Sequence, residues 1–336
     1  MTFPLVSICV PTIGRVEYLS AALQSLREQT YENYEVIVLD NASGPEAQAV
    51  ITGFVANNSN ARILRVNERV PMFANFNRGI RAAVGEYVVF FHDDDHYDPR
   101  FLDFHVAVLE ANPQAAFAGS NWNMIDGEGR LTVRRRLIKK TGTWSGRDFI
   151  ERLVRRGRSE LATPALVFRR EVVKTSGFDE RCPIHWGDFT ILMRIAEQWD
   201  VAVVAESLFS WRSHEQNSSR MAFSQSIPLR TSVLRDYCSE FAVRHPEDLE
   251  FLNRLKSLVD RGHSRGLLWG WLVASNDAES RTCRHLLEEA SCPMTVGLLR
   301  LLESVGLTVT SRRSLVPAPH QRKSHLTRHQ LEPVDV

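Results

Sequence analysis

The chain has 336 residues, 43% hydrophobic and 24% charged, which is material for about two domains and excludes disorder or a fibrous repeat as its main state. Lys and Arg number 41 against 40 Asp and Glu. A protein that grips nucleic acid through bulk charge is more basic than this, so no nucleic-acid partner is expected and an anionic one must be met by a local patch or a metal. Residues 6–10 read as a buried strand, and 16–27 as a helix with Tyr18, Leu19, Ala22, Leu23 and Leu26 on one face. Residues 34–39 are a second strand and 44–55 a second helix. A third strand at 62–66 leads to a third helix at 73–84, and a fourth strand follows at 87–91. Pro99 then opens a helix at a position where a missing N–H costs nothing. This alternation predicts an α/β fold: a Rossmann-like, mainly parallel sheet with helices on both faces.

After Ala118 the pattern loosens. Residues 121–143 hold Gly, Asn and a basic run; 165–168 and 201–204 read as further strands, with a helix at 188–198 between them. Residues 227–307 are helical in pattern, and from Pro317 a Pro-, His- and basic-rich tail is expected to be disordered. Residues 1–11 lack the basic flank and cleavage site of a signal peptide. The strongest apolar run, 266–275, is about half the roughly 20 residues a bilayer span needs. Cys9, Cys182, Cys238, Cys283 and Cys292 form no CxxC pair, so a reducing cytoplasm is the expected compartment.

Ligands of parallel α/β sheets bind beyond the carboxyl ends of the strands. Pro11-Thr-Ile-Gly-Arg15, Asp40-Asn-Ala-Ser43 and His92-Asp-Asp-Asp-His-Tyr-Asp98 stand at such ends and should converge on one crevice. Adjacent carboxylates at Asp93, Asp94 and Asp95 repel one another, and a bound Mg²⁺ or Mn²⁺ would offset that. The other reading is a solvated acidic loop ahead of the Pro99 helix, with Asp98 as its N-cap.

Val6-Ser-Ile-Cys-Val-Pro-Thr12 is followed by Leu23-Gln-Ser-Leu-Arg-Glu-Gln-Thr30 and Tyr34-Glu-Val-Ile-Val-Leu-Asp-Asn-Ala-Ser43. Then come Asn77-Arg-Gly-Ile-Arg-Ala-Ala-Val-Gly-Glu-Tyr87, Phe90-Phe-His-Asp-Asp-Asp95 with Pro99, Gly177-Phe-Asp-Glu180, and Gly187-Asp188 ahead of Arg194. In order and spacing this series resembles the GT-A-fold, family 2 glycosyltransferases over about residues 4–220. The resemblance implies that Pro11, Thr12 and Arg15 lie beside a nucleotide diphosphate, and that Asp40 and Asn41 meet its base and ribose. It adds Asn77 and Asp93 to the nucleotide-sugar site. Asp94, counted back from Pro99, would grip the Mg²⁺ or Mn²⁺ on the donor pyrophosphate. His214, beside Arg212 after the last strand, would complete the metal shell. The family's first Asp is replaced by His92, which can itself ligate a metal when neutral.

Asp188 falls at the Asp of the family's Glu–Asp pair, whose Glu is here Gly187, and would be the general base. Its other reading is a helix N-cap ahead of Phe189. His185 and Trp186 would line the acceptor pocket, unless Trp186 belongs to the core. Residues 130–158 carry Arg134, Arg135, Arg136, Lys139, Lys140, Arg147, Arg152, Arg155, Arg156 and Arg158, with only Asp148 and Glu151 in between. They read as solvated surface or as a patch for anionic groups such as lipid diphosphates or phosphorylated saccharides. With the apolar run at 267–273 the patch would support peripheral contact at the inner face of a membrane; a packed helix explains that run equally well.

The expected organisation is a GT-A catalytic domain over 1–215, a helical extension over 216–312 and a loose tail over 313–336. The expected activity is inverting, metal-dependent transfer of a sugar from a UDP- or dTDP-sugar to a saccharide, lipid-linked or small-molecule acceptor. A sugar-phosphate nucleotidyltransferase is one alternative, but its Gly-rich loop ending in Arg does not follow Val10. A catalytically silent nucleotide-sugar binder is another, prompted by His92 and Gly187. A dinucleotide dehydrogenase is disfavoured because no GxGxxG follows the first strand.

Overall fold

In the run Val6–Thr12, side chains alternate between two apolar layers, Ile8 and Val10 facing one and Cys9 the other, and this strand lies inside a sheet covered on both sides. The structure is a computed structural model and describes residues 3–157, 159–182, 186–214, 217, 223–273 and 277–289, with positions 297 and 300. In chain order β1 (Val6–Thr12) is followed by α1 (Val16–Arg27), β2 (Tyr34–Asp40), α2 (Pro45–Ala56), β3 (Ala61–Ile63), α3 (Met72–Ala82) and β4 (Tyr87–Phe90). Next come β5 (His96–Tyr97), α4 (Phe101–Glu110), β6 (Ala115–Ile125), β7 (Leu131–Arg134), β8 (Gly142–Trp144) and α5 (Gly146–Arg156). A 3-10 turn at Thr163–Ala165 leads into β9 (Leu166–Arg169), α6 (Arg170–Ser176), α7 (Gly187–Ala196) and β10 (Asp200–Arg212). Three helices close the described chain: α8 (Phe223–Arg244), α9 (Leu249–Val273) and α10 (Asp277–Glu289).

The strand order is β3-β2-β1-β4-β9-β6-β10-β5, with β7 on β6 and β8 on β10. The expected parallel sheet is present as β3-β2-β1-β4, and β6 and β10 are also parallel. Strand β9 runs antiparallel between β4 and β6, which makes the whole sheet mixed. One layer packs Leu19, Leu23, Ile51, Phe101 and Leu109 on the sheet. The other packs Phe76, Phe149, Leu153, Ile191, Leu234 and Leu255 on its opposite face.

The chain forms two units, Met1–Met221 with Pro228–Gly262, and Ala222–Ile227 with His263–Val336. Residues 228–262, read from sequence as part of the helical extension, belong to the first unit and supply Tyr237, Phe241, Phe251 and Leu258 to its core. In the second unit Ile227, Leu267, Trp271, Cys283 and Leu287 bury one another. The apolar run at 267–273 is therefore part of a packed helix. Among the described residues no helix is long and apolar enough to cross a membrane. The tail expected at 313–336 lies outside the described residues.

Candidate active site

The turn after β1 is closed by Gly14 at φ +94°, where a Cβ would stand 2.7 Å from the Cβ of Ser43. Its N–H donates to Thr12 Oγ1 at 3.0 Å. Thr12 Oγ1 in turn donates to Asp93 Oδ2 at 2.6 Å, and Arg15 reaches Asp94 Oδ2 at 2.6 Å and Asp93 Oδ1 at 3.1 Å. The ends of β1 and β4 are thus tied together by an acid–base network.

Asp93, Asp94 and Asp95 are 2%, 8% and 1% exposed, which overturns the solvated-loop reading. Asp98 is not the cap of α4 either; its carboxylate holds Arg100, which occupies the N-cap position. Burying like charges is costly unless donors surround them. Besides Arg15, His214 Nε2 lies 3.1 Å from Asp94 Oδ2. The Arg212 N–H donates to Asp95 Oδ1, and Arg212 Nε to the Asp94 carbonyl, both at 2.9 Å. Burial raises the Asp93 carboxyl and the Asp94 charge adds to it, so that against the pull of Arg15 it stands at about 6.

Buried polar atoms left without a hydrogen-bond partner here include His92 Nε2, Asp95 Oδ2 and Arg15 Nε. One ligand atom each from His92, Asp94 and Asp95 lies within 4.8 Å of the others. Burial lowers the His92 imidazole to about 4, leaving it neutral and able to ligate at neutral pH. An imidazole with two carboxylates is a donor set for a divalent cation, and the residues present fit one.

Asp188 lies in the first turn of α7, whose N-cap is Trp186, so Asp188 is a helical residue rather than the cap. Thr163 Oγ1 donates to its Oδ2 at 2.6 Å, and the Phe189 N–H to its Oδ1 at 3.0 Å. Burial raises its carboxyl above the ordinary value, against the opposing pull of those bonds. Gly187 has a packing cause: a Cβ there would lie 2.1 Å from Phe73 Cε2. That ring is stacked on Phe178 at 5.3 Å and 4°, so it has little room to withdraw. Where the resemblance places an acid, this chain has an aromatic wall. Gly187→Ala is therefore expected to cost about 1–3 kcal/mol by overpacking. Chemical denaturation measures it, with Phe73→Leu in the same chain recovering part of the loss; an unchanged midpoint for Gly187→Ala would mean that the ring yields freely.

Pro11, Thr12, Arg15, Asn41, Asp93, Asp94 and Asp188 line one cleft of about 570 Å³, a size typical of small-molecule sites. Asn41 also brackets Val70 with its amide, at 2.9 Å in both directions. His214 adjoins the cleft through Asp94. Asp40 does not line it: its buried carboxylate accepts from the Ser43 N–H and from Arg65 Nε. Burial alone would raise that carboxyl, but Ser43 and Arg65 outweigh it and hold it below the usual range. Asn77 is also off the cleft, its amide bonding the Phe178 backbone and Glu180, because the helical position after Phe76 is turned about 100° away. Trp186 does not line the cleft and packs edge-on against Phe189 at 5.0 Å. His185 lies outside the described residues.

Sequence reading missed Phe73, Trp122, Thr163 and Trp211, all on the cleft wall. For Trp122 the available signal was an aromatic between Asn121 and Asn123 just past the apolar end of a strand. Thr163 gave no local signal, being 25 residues from the carboxylate it holds.

The family model described as glycosyl transferase family 2 matches residues 7–177, just over half of the chain. An uncharacterized glycosyltransferase of Nostoc sp. is 25% identical over 250 residues, covering 71% of this chain and 76% of the relative. The GalNAc(5)-diNAcBac-PP-undecaprenol beta-1,3-glucosyltransferase of Campylobacter jejuni is 28% identical over 150 residues, 44% of this chain and 48% of the relative. The match to an uncharacterized glycosyltransferase of Rickettsia bellii spans only 20% of that protein's length. Among solved structures, S. aureus TarS 1-349 in complex with UDP-GlcNAc superposes with a TM-score of 0.64 at 17% identity, over 92% of this chain and 87% of that one. The mannosyltransferase PcManGT from Pyrobaculum calidifontis, in complex with GDP-Man and Mn²⁺, gives 0.56 at 17% identity, over 93% and 85%.

Proposed function

The chain belongs to glycosyl transferase family 2, and on that premise we propose that it is an inverting, metal-dependent enzyme. It would move a sugar from a UDP- or dTDP-sugar to a hydroxyl of a saccharide, lipid-linked or small-molecule acceptor. One observation carries this reading: a carboxylate held as a base and a carboxylate–imidazole cluster suited to a cation are joined in a single cleft system. A solved structure of similar fold is described with GDP-Man and Mn²⁺, and another with UDP-GlcNAc, which supports a nucleotide-sugar donor and a metal here. The undecaprenol-linked substrate in the Campylobacter relative's name supports a lipid-linked acceptor, and with it a reaction at a membrane surface.

Asp188 takes the proton of the acceptor hydroxyl as that oxygen bonds to the anomeric carbon and the bond to the nucleotide diphosphate breaks, which inverts the centre. A carboxyl raised by burial is a stronger base than a free one, and Thr163 holds its Oδ2 in place. When bound, Mg²⁺ or Mn²⁺ would be held by Asp94 with His92 and Asp95, next to His214, and would supply positive charge to the departing diphosphate. Arg15 presents a guanidinium at the same place, with its Nε buried and without a partner.

Turnover of a panel of sugar nucleotides, with and without Mn²⁺, tests the reading, and the anomeric configuration of the product tests the inversion. Binding with neither transfer nor hydrolysis would leave a silent nucleotide-sugar binder, and a retained configuration would remove Asp188 as the base of a single displacement. Thr163→Val is expected to lower kcat about tenfold, the worth of a hydrogen bond to a charged group. Loss of that bond raises the Asp188 carboxyl further, so the acid limb of the pH–rate profile moves to higher pH; Thr163→Ser restores both. A profile that does not move would reduce Thr163 to packing.

A further inference from the structure

The basic stretch at 130–158 divides in the structure. On α5, Arg147 pairs with Asp248, Arg152 and Arg156 with Glu160, and Arg155 with Glu151. Each of those arginines has an acidic partner within the fold. Arg134, Arg136, Lys139 and Lys140 differ: all are exposed, and none of their side chains has an ion-pair or hydrogen-bond partner among the described residues. Just beyond them the Thr141 hydroxyl donates to Glu206.

The backbone that carries these cations is fixed to the cleft wall. The Arg135 N–H donates to the Trp122 carbonyl at 3.2 Å, and its guanidinium lies 4.6 Å from the centre of the Trp122 ring. Asn121 accepts the N–H groups of Leu137 and Ile138 at 2.7 and 2.9 Å and donates to the Ile138 carbonyl at 2.7 Å. Trp122 lines the same cleft as Asp94 and Asp188. Residues 134–140 therefore form a rim with an aromatic platform beneath Arg135 and unbalanced positive charges on their exposed positions.

We propose that this rim recognises the acceptor, and that the acceptor carries phosphate groups on the part that extends beyond the cleft. The inference rests on the transfer reaction proposed above and names its substrate class. Clustered cations with no internal partner match phosphate oxygens carried along an extended ligand. A bilayer would also attract such cations, by charge alone; the tie of this segment to the cleft wall through Asn121 and Trp122 favours a ligand that itself enters the cleft.

The test titrates the full chain, in metal-free buffer, with a short oligo(glycerol phosphate) and with a dextran oligosaccharide of the same length. A third arm uses vesicles of equimolar phosphatidylglycerol and phosphatidylcholine. The phosphodiester chain should bind with an affinity that weakens as salt is added, and R134Q/R136Q/K139Q/K140Q should weaken it by roughly tenfold or more. Arg155→Gln, which removes a paired charge from the same stretch, should leave it unchanged. UDP or dTDP binding with Mn²⁺ should be the same in the quadruple variant as in the unaltered chain. If neither UDP nor dTDP binds the unaltered chain with Mn²⁺, the proposed function falls and takes the substrate assignment with it. If either nucleotide binds but the phosphodiester does not, or dextran binds as well, or the quadruple variant binds the phosphodiester equally, the rim proposal falls alone. Vesicle binding lost in the quadruple variant, without phosphodiester binding, would assign the cations to a bilayer and overturn the acceptor reading.

Discussion

Asp188→Asn is expected to lower kcat by about 10²- to 10⁴-fold, the usual contribution of a positioned general base. Asn keeps the size of the side chain and an oxygen that can accept from Thr163 or from the Phe189 N–H, so the first turn of α7 should stand. What it loses is the ability to take a proton. Binding of nucleotide with Mn²⁺ should stay as it was, because the donors around Asp93, Asp94 and Asp95 are untouched. The loss should appear in kcat and kcat/KM together. Undiminished turnover would take Asp188 out of the mechanism, and a loss confined to KM would make it a binding residue.

The second large effect is expected from Asp94→Ala. A nucleotide at a hundred times its Kd stabilises the form that binds it by about 2.7 kcal/mol. For a chain of 336 residues that raises the melting temperature by about 4 °C. In the unaltered protein the rise produced by UDP or dTDP should require Mn²⁺ or Mg²⁺; in Asp94→Ala it should vanish with either. The variant also leaves Arg15 and His214 facing each other without the carboxylate between them, so its own baseline should fall. Each shift is therefore read against its own nucleotide-free melt. Asp94→Asn, which can still accept from Arg15, separates that loss from the loss of metal binding. A full shift in either variant, or one that ignores metal in the unaltered chain, would argue against Asp94 as the link between cation and nucleotide.

The first half of the molecule was legible because its signals are local. β1, β2 and β4 are short runs of β-branched residues buried on both faces, and α1 shows its apolar stripe at helical spacing, so the expected span of 16–27 coincides with Val16–Arg27. The rule that ligands meet strand ends then located Thr12, Arg15, Asn41, Asp93 and Asp94 on one cleft. The second half hid its structure in tertiary bonds. β6 continues past Ala118 through Ser120 and Asn121, buried polar residues that read as loop until the segments they hold are known. In α5 the arginines mask a buried stripe of Phe149, Ile150, Leu153 and Val154. Asp40 and Asn77 were singled out by strand-end position and by resemblance, but their side chains are taken up by Ser43, Arg65, Phe178 and Glu180. Such competition between partners is not visible along the chain.

Asn121 has a consequence for how this enzyme can change. Its amide bonds only to main-chain atoms, the N–H groups of Leu137 and Ile138 and the carbonyls of Ile138 and Ala205. A peg that reads backbone is blind to the side chains it displays. Except at Ile138, which is buried, and Arg135, which packs on Trp122, the residues from 134 to 140 can be rewritten while their path along the rim stays put. The groups proposed to react belong to other elements, Asp94 to the loop after β4 and Asp188 to α7. If the rim meets the acceptor as proposed, mutation there can exchange one clientele of acceptors for another without disturbing the chemistry, and an engineer could do the same.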